Sequence, residues 1–243
     1  MSFTAIADDW WARDFACSSA DLRPTRTHVQ RHVGALLDNP GIWILVAGGA
    51  PLVSLPSDAT DVLVEKAQSW SSSDVADTPK LHRQLAPLCS RPVEKIIGPA
   101  FIGYGSADSL DLRDARFARP SPSPGAIAKL QAVCQSEEWN HGGSEPHPQR
   151  TFGVLDQFNE LLALSGYKVW NEAIAHIAIV THPEHRGRGL GRSAVALAAQ
   201  HALSAGLVPQ YRTLRQNAPS MNIARRLGFI EYGFSVYVRL RVG

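Results

Sequence analysis

The chain has 243 residues, 44% of them apolar and 19% charged, which is enough to bury a core and excludes a disordered polyelectrolyte. Its formal net charge of +2 argues neither for nor against a nucleic-acid partner. Cys17, Cys89 and Cys134 are odd in number and far apart with no CxxC, the pattern of reduced thiols in a cytoplasmic protein. The opening MSFTAIADDWWARDF carries Asp8 and Asp9 where a secretory signal would need basic and then apolar residues. No apolar run approaches the ~20 residues of a membrane span.

Residues 21–39 (DLRPTRTHVQRHVGALLDN) place Val29, Val33, Leu36 and Leu37 at helical spacing and predict one helix. His28 and His32 then stand four apart on it. Without HExxH or a third ligand they read as a solvated helix face, not zinc ligands. GIWILVA, the turn GGAP and LVSLP predict a hairpin, and helices are expected over 60–70 and 77–88. VEKIIGPAFIGYG (93–105) reads as a strand. The proline-rich, polar stretch 106–125 marks a boundary, dividing the chain into 1–107 and 108–243. Within it DARFARP offers a first strand for the second of these domains. AIAKLQAVCQSEEW (126–139) predicts a helix, and NHGGSEPHPQR a loop. TFGVLDQ and ELLALSGYKVW form an antiparallel pair turning at Phe158–Asn159, and AHIAIVT (175–181) is a further strand. SAVALAAQHALSAG is a helix stopped by Gly206, QYRTLRQ a short strand, and NAPSMNIARRLGF a helix running to Gly228. FIEYGFSVYVRLRV supplies the final strands. Trp10, Trp11 and the aromatic set near Trp170 read as core, and Arg225 and Arg226 as a solvated helix face.

From Thr181 onward the chain has nine arginines, no lysine, and only Glu184 and Glu231 as acids, an anion-binding balance. Its centre is HPEHRGRGLGRS (182–193), set between a strand and a helix. A Walker A loop fails on spacing, because only three residues separate Gly187 from Gly191 and Arg192 replaces the lysine. A dinucleotide fingerprint is one residue short at its last step, with no acid about 20 positions on. The pattern that fits is [QR]-x-x-G-x-[GA], here Arg186-Gly187-Arg188-Gly189-Leu190-Gly191, against the alternative of a solvated basic turn. Glycines let successive backbone N–H groups turn toward one anion, and the helix behind adds its uncapped N-terminus.

Together with Asn217-x-x-Ser220-x-x-x-Ala224-x-x-Leu227-Gly228-Phe229, this loop resembles the GNAT acyltransferase superfamily over about 110–243. The resemblance implies an α/β (α+β) fold, with a mixed, mostly antiparallel sheet, a splayed central strand pair and flanking helices. It implies transfer of an acetyl group from acetyl-CoA to a primary amine of a small molecule or protein, by direct attack in a ternary complex. The alternative is a non-catalytic acyl-CoA-binding regulatory module. Arg186, Gly187, Arg188, Gly189, Leu190, Gly191 and Arg192 would hold the phosphates. The N–H groups of Ile179, Val180 and Thr181 would meet the pantetheine arm, as would Asn217 and Ser220; Asn217 also reads as a plain helix cap. No metal, nucleic acid or membrane partner is implied, the acceptor amine stays open, and a homodimer is compatible.

For the proton from the amine, the fourth strand of this domain offers His176, with Glu172 just before it. His176 reads first as a hydrogen-bonded core or groove histidine, and as a base second. Where many relatives carry a tyrosine, seven positions after the asparagine, Ala224 stands. Tyr232, Tyr211 or Tyr237 would then have to protonate the leaving thiolate, unless it leaves unaided. The first 107 residues lack the arginine–glycine loop and read as a smaller α/β domain. They are compatible with a degenerate copy of the same fold that shapes the acceptor pocket without binding coenzyme A.

Overall fold

The computed structural model describes residues 2–142 and 147–241 and resolves into two compact units. The first takes the chain up to Ile102, then Thr213–Asn217, then the chain from Glu231. The second takes Gly103–Arg212 and Ala218–Ile230. The sequence expectation of a cut at 107/108 therefore meets a chain that returns to the first unit twice near its end. Among the described residues no helix is long and apolar enough to cross a membrane.

In the first unit, α1 (Phe3–Asp14) starts at the Ser2 cap and buries Ala7, Trp11 and Ala12. The helix expected over 21–39 does not form. Instead β1 (His28–Arg31) pairs in parallel with β3 (Leu52–Leu55), and only a 3-10 turn follows at Gly34–Leu36. The helical spacing is outvoted by Pro24, by Thr27 and Val29 with their β-branched side chains, and by Gly34 at φ +57°. His32 is thus no solvated face residue. It is buried, with Nδ1 2.6 Å from Ser54 Oγ and Nε2 2.7 Å from the Gly41 carbonyl.

β2 (Ile42–Val46) and β3 form the expected hairpin. Helices α2 (Asp61–Gln68), α3 (Ser72–Ala76) and α4 (Thr78–Leu85) each begin at a side-chain cap, Thr60, Ser71 and Asp77. β4 runs from Val93 to Tyr104. The C-terminal stretch is one strand, not several: β10 (Ile230–Leu240) lies antiparallel to β2, with Val236 opposite Ile44. The unit's strand order is β1-β3-β2-β10-β4. One face of it buries Ile42, Ile44, Val236 and Val238 against Leu63, Leu81 and Leu85.

The second unit carries the arginine–glycine loop. DARFARP is mostly a 3-10 turn (Arg113–Phe117), and only Arg119–Pro120 pair as β5; Pro120 has no N–H to extend the ladder. The helix expected over 126–139 is two, α5 (Pro124–Val133) and α6 (Ser136–Gly142), broken where Cys134 turns extended. The break changes the chain's direction yet lets Trp139 pack on the core that Ile127 and Leu130 build. Within the expected loop, 140–142 are therefore helical, while 143–146 lie outside the described residues. β6 (Thr151–Leu155), β7 (Leu161–Trp170) and β8 (Ile174–Thr181) form an antiparallel meander. α7 (Leu190–Ser204) leads to β9 (Val208–Leu214), which lies parallel to β8, and α8 (Ala218–Leu227) comes next. The strand order is β9-β8-β7-β6-β5. Side-chain alternation separates the faces: Val180 and Leu164 pack on α5, whereas Ile179 and Ala163 pack toward α7. Alanines let α7 lie close, with Ala194, Ala198 and Ala202 fully buried.

Candidate functional site

β8 and β9 pair only from Ile174↔Val208 to Ile177↔Tyr211. Beyond that point they part, although β8 stays bonded to β7 as far as Ala163↔Thr181. The His182 N–H donates to the Leu162 carbonyl at 2.8 Å. Alternation then turns the N–H groups of Val180 and Ala178 toward β7, and those of Ile179 and Thr181 into the gap. Of the three strand residues singled out in the sequence, Ile179 and Thr181 offer backbone to a ligand. Val180 serves the core.

The loop continues from that open edge. His182 caps a 3-10 turn at Pro183–His185, and Gly187 and Gly189 then take φ +78° and +83°. Gly189 occupies the cap position of α7, so no side chain bonds to the helix's first N–H groups, and no acid lies in its first turn. An uncapped N-terminus with left-handed glycines before it is a place for an anion. Gly191 fits where a Cβ would lie 2.9 Å from Thr181 Oγ1 and 3.3 Å from Ile223 Cδ1, which seats α7 closely on β8. Leu190, partly buried, packs under the helix start.

The loop's arginines are already held. Arg186 Nη2 donates to both Glu138 oxygens, at 2.8 and 2.7 Å, and its Nε to the Thr181 carbonyl at 3.4 Å. Arg188 lies 3.3 Å from His185 Nδ1. Arg192 pairs with Asp114, and its buried Nε has no hydrogen-bond partner among the described residues. A buried guanidinium N–H left over in this way suits an additional acceptor oxygen.

Downstream, Ser220 Oγ lies 2.9 Å from the Tyr211 hydroxyl. Burial pushes that phenol up to about 12. Asn217 is exposed just before α8, its N–H donating to the Leu214 carbonyl. Ala224 is fully buried.

The candidate proton carriers separate. His176 sits one residue before the strands part, its ring stacked 4.0 Å from Trp170 and its Nδ1 2.9 Å from Gln210 Oε1. Gln210 is fully buried and donates through Nε2 to the Tyr104 hydroxyl at 2.6 Å. A carbonyl oxygen facing Nδ1 makes that nitrogen the donor and leaves Nε2 as the proton acceptor. Burial, then the charge of Arg212, lowers the imidazole to about 4, against the Gln210 bond, which raises it. Glu172 is exposed on the β7–β8 hairpin at φ +56°, at the end of β8 away from the loop. The seven steps from Ile174 to Thr181 alone span roughly 23 Å. Tyr232, in the first unit, donates to Asp8 at 2.8 Å with Arg23 over its ring. Tyr237 there donates to Asn39 at 3.2 Å. Sequence reasoning missed Gln210 and Tyr104. One polar residue in VPQYR was the only available sign, and its meaning came from strand register.

Residues 116–229 match the sequence model described as the acetyltransferase (GNAT) family. No curated protein matches the chain. Among solved structures it is similar to a GNAT-family acetyltransferase from Colwellia psychrerythraea, at 14% identity over 65% of this chain and 62% of that one, TM-score 0.47. A GCN5-related N-acetyltransferase-like protein from Streptococcus suis aligns at 14% identity over 82% and 84%, TM-score 0.45. The GCN5-related glucosamine N-acetyltransferase region of a fungal multi-domain GH3 beta-N-acetylglucosaminidase aligns over 98% of this chain and 36% of that one, at 13% identity and TM-score 0.50.

Proposed function

Residues 116–229 belong to the acetyltransferase (GNAT) family, and from that premise we propose that the chain transfers an acetyl group from acetyl-CoA to a primary amine. The observation that carries the reading is the parting of β8 from β9 directly before an uncapped, glycine-led helix. Acetyl-CoA supplies an activated acyl carbon. The N–H groups of Gly187–Gly191 and of the first turn of α7 hold its diphosphate, with Arg188 and the spare N–H of Arg192 adding charge-assisted bonds. The N–H groups of Ile179 and Thr181 pair with the pantetheine arm, and one of them bonds the thioester oxygen as negative charge grows there. Ser220 meets the same arm from the β9 side, with Asn217 just ahead of its helix.

The amine attacks directly, and no residue of the chain is acylated. His176 takes the amine proton through Nε2. Tyr211, hydrogen-bonded to Ser220, is kept neutral by burial, which also makes its phenol a weaker acid than an ordinary tyrosine, so the thiolate leaves unaided and takes its proton from solvent. Glu172 is given no step because the hairpin carries it away, and Tyr232 none because its proton is engaged with Asp8. The first unit lacks an R-x-x-G-x-G loop, so coenzyme binding is assigned to the second. Three cysteines without a disulfide fit a reducing compartment, and we place the protein in the cytoplasm.

Calorimetry with acetyl-CoA tests the first half of this reading. Arg186→Ala should weaken binding by about tenfold, because its bonds to Glu138 and the Thr181 carbonyl hold the loop in the shape that presents its N–H groups. Unchanged affinity would remove Arg186 from the site. Thiol release across an amine panel tests the second half. The panel includes glucosamine, because a structural neighbour is described as acting on it. Coenzyme binding without thiol release from any amine would leave a binding module, not an enzyme.

A further inference from the structure

Where β9 still pairs with β8, a side-chain amide stands among buried neighbours. Val208, Pro209 and Tyr211 are buried, and Gln210 between them has no exposure at all. Both ends of its amide are engaged. Register sets Gln210 opposite His176, one pair before the β8–β9 ladder ends, and its Oε1 lies 2.9 Å from Nδ1 of that ring. Its Nε2 donates to the Tyr104 hydroxyl at 2.6 Å. Tyr104, fully buried at the end of β4, is fixed in turn by the next residue, where the Gly105 N–H donates to the Pro209 carbonyl at 2.9 Å. A leucine at 210 would fill similar space with no amide to satisfy, so packing alone does not call for glutamine there.

An amide is directional, and turning it over exchanges its donor for its acceptor. With Nε2 on Tyr104, Oε1 faces the imidazole, accepts the Nδ1–H and leaves the lone pair on the ring's Nε2. Turned over, the amide would give an N–H to Nδ1. The ring's one proton would then sit on Nε2, which could take no other. We propose that Gln210, itself held by Tyr104, is a positioning residue for acetyl transfer, keeping His176 in the tautomer whose Nε2 takes the acceptor's proton. This rests on the acetyl-transfer reading with His176 as its base, and adds the two buried side chains on which that base depends. The amine N–H bond breaks as Nε2 gains the proton, and the imidazolium then loses it to solvent. The Nδ1–H stays on Oε1 throughout, so one bond serves both protonation states and the amide need not turn during a cycle. Burial and the charges of Arg212 and Lys168 oppose the imidazolium, while the Gln210 bond favours it.

The tautomer is read first, by nitrogen NMR of the His176 ring at neutral pH in the protein without coenzyme. The parent should carry its proton on Nδ1 with Nε2 bare. Tyr104→Phe keeps the aromatic ring and removes the oxygen that holds the amide, so both tautomers should appear. A parent ring protonated on Nε2, or a single Nδ1–H form persisting in Tyr104→Phe, would overturn the proposal. Gln210→Glu then separates positioning from packing, because it keeps the shape and puts a carboxylate on Nδ1. That charge favours the imidazolium, so the ring should titrate well above the parent's value of about 4, by NMR and in the acidic limb of kcat/KM alike. An unmoved titration would leave Gln210 a structural residue only. In thiol-release assays Tyr104→Phe and Gln210→Leu should each lower kcat by about tenfold or more, part of the 10²–10⁴-fold that a positioned base supplies. KM for acetyl-CoA should stay within about threefold of the parent, since the residues assigned to the coenzyme are untouched. A raised KM with kcat unchanged would refute the role. Absence of thiol release from any amine, with the Nδ1–H tautomer found, would overturn the acetyl-transfer reading and the catalytic role together. The tautomer assignment would stand, which tells that failure from an error in the hydrogen-bond chain.

Discussion

His176 is poised by the groups around it, and they also set its behaviour with pH. Its folded value of about 4 lies below the ordinary imidazole value of about 6.5, because burial and the Arg212 charge penalise the imidazolium. Between those values the unfolded chain binds the proton and the folded chain does not, so stability rises with pH across the window and is lost as pH falls toward 4. Catalysis should follow the folded value: the acidic limb of kcat/KM should fall near pH 4, not near 6.5. His176→Gln should flatten that limb, and a parental profile would retire the residue as a base. A backbone residue makes a separate prediction. Gly228 ends α8 at φ +84°, with its own N–H on Arg225 and the Phe229 N–H on Ala224, the paired bonds of a left-handed helix stop. A Cβ there would sit 2.1 Å from the Ser109 carbonyl oxygen. Gly228→Ala should cost at least about 1–3 kcal/mol, the range for a forced backbone conformation, read as a lowered denaturation midpoint.

At the scale of elements, the start of α7 divides stability from function. Gly189 stands where a helix ordinarily has a capping side chain, and its backbone is left-handed, with Arg192 Nη2 4.0 Å from where a Cβ would lie. Asn and Asp tolerate that conformation better than other residues, and either can offer an oxygen to the helix's first N–H groups. Gly189→Asp should therefore leave stability within about 1 kcal/mol of the parent. It should still weaken acetyl-CoA binding well beyond tenfold, because a carboxylate replaces the diphosphate at the same donors. Gly189→Asn, which blocks the donors without the charge, should fall between the two. Equal affinities for all three proteins would mean that the helix N-terminus is not the anion site. This element was legible in the sequence because its chemistry is local: glycine spacing, flanking arginines and an alanine-rich helix behind. The 21–39 segment was not, because its helical spacing is a weak preference and pairing with β3, more than 20 residues on, decided its conformation. The break at Cys134 was equally hidden, since apolar periodicity runs through it and only the packing of Trp139 shows why the chain turns.

On the scale of the whole molecule, much of the order of elements after residue 40 could be read along the chain, but their partition into units could not. Strand pairing between residues nearly 200 apart leaves no periodic trace. β10 has the alternation of any half-buried strand, and nothing in FIEYGFSVYVRLRV says that its partner is Ile42–Val46. The same limit hid the Tyr104–Gln210–His176 chain, which exists only once register is set. It also makes the division at 107/108 a sharp test of the architecture. A fragment of 108–243 keeps the loop, α7, α8 and the parted strands, yet carries β10 without β2. Phe234, Val236, Val238 and Leu240, all buried in the whole chain, would lose the core formed by Ile42, Ile44 and Leu63. Each such side chain buried is worth about 1.5–3 kcal/mol, more than a marginally stable unit can forgo. The fragment should associate through that unpaired strand, seen as oligomers in sedimentation. Trimming it at Phe229 should relieve the association while retaining some acetyl-CoA binding, since every residue assigned to the coenzyme lies before that point. A soluble, monomeric 108–243 fragment would show that β10 finds other partners, and with it the role given to β2 in holding the C-terminal strand would fall.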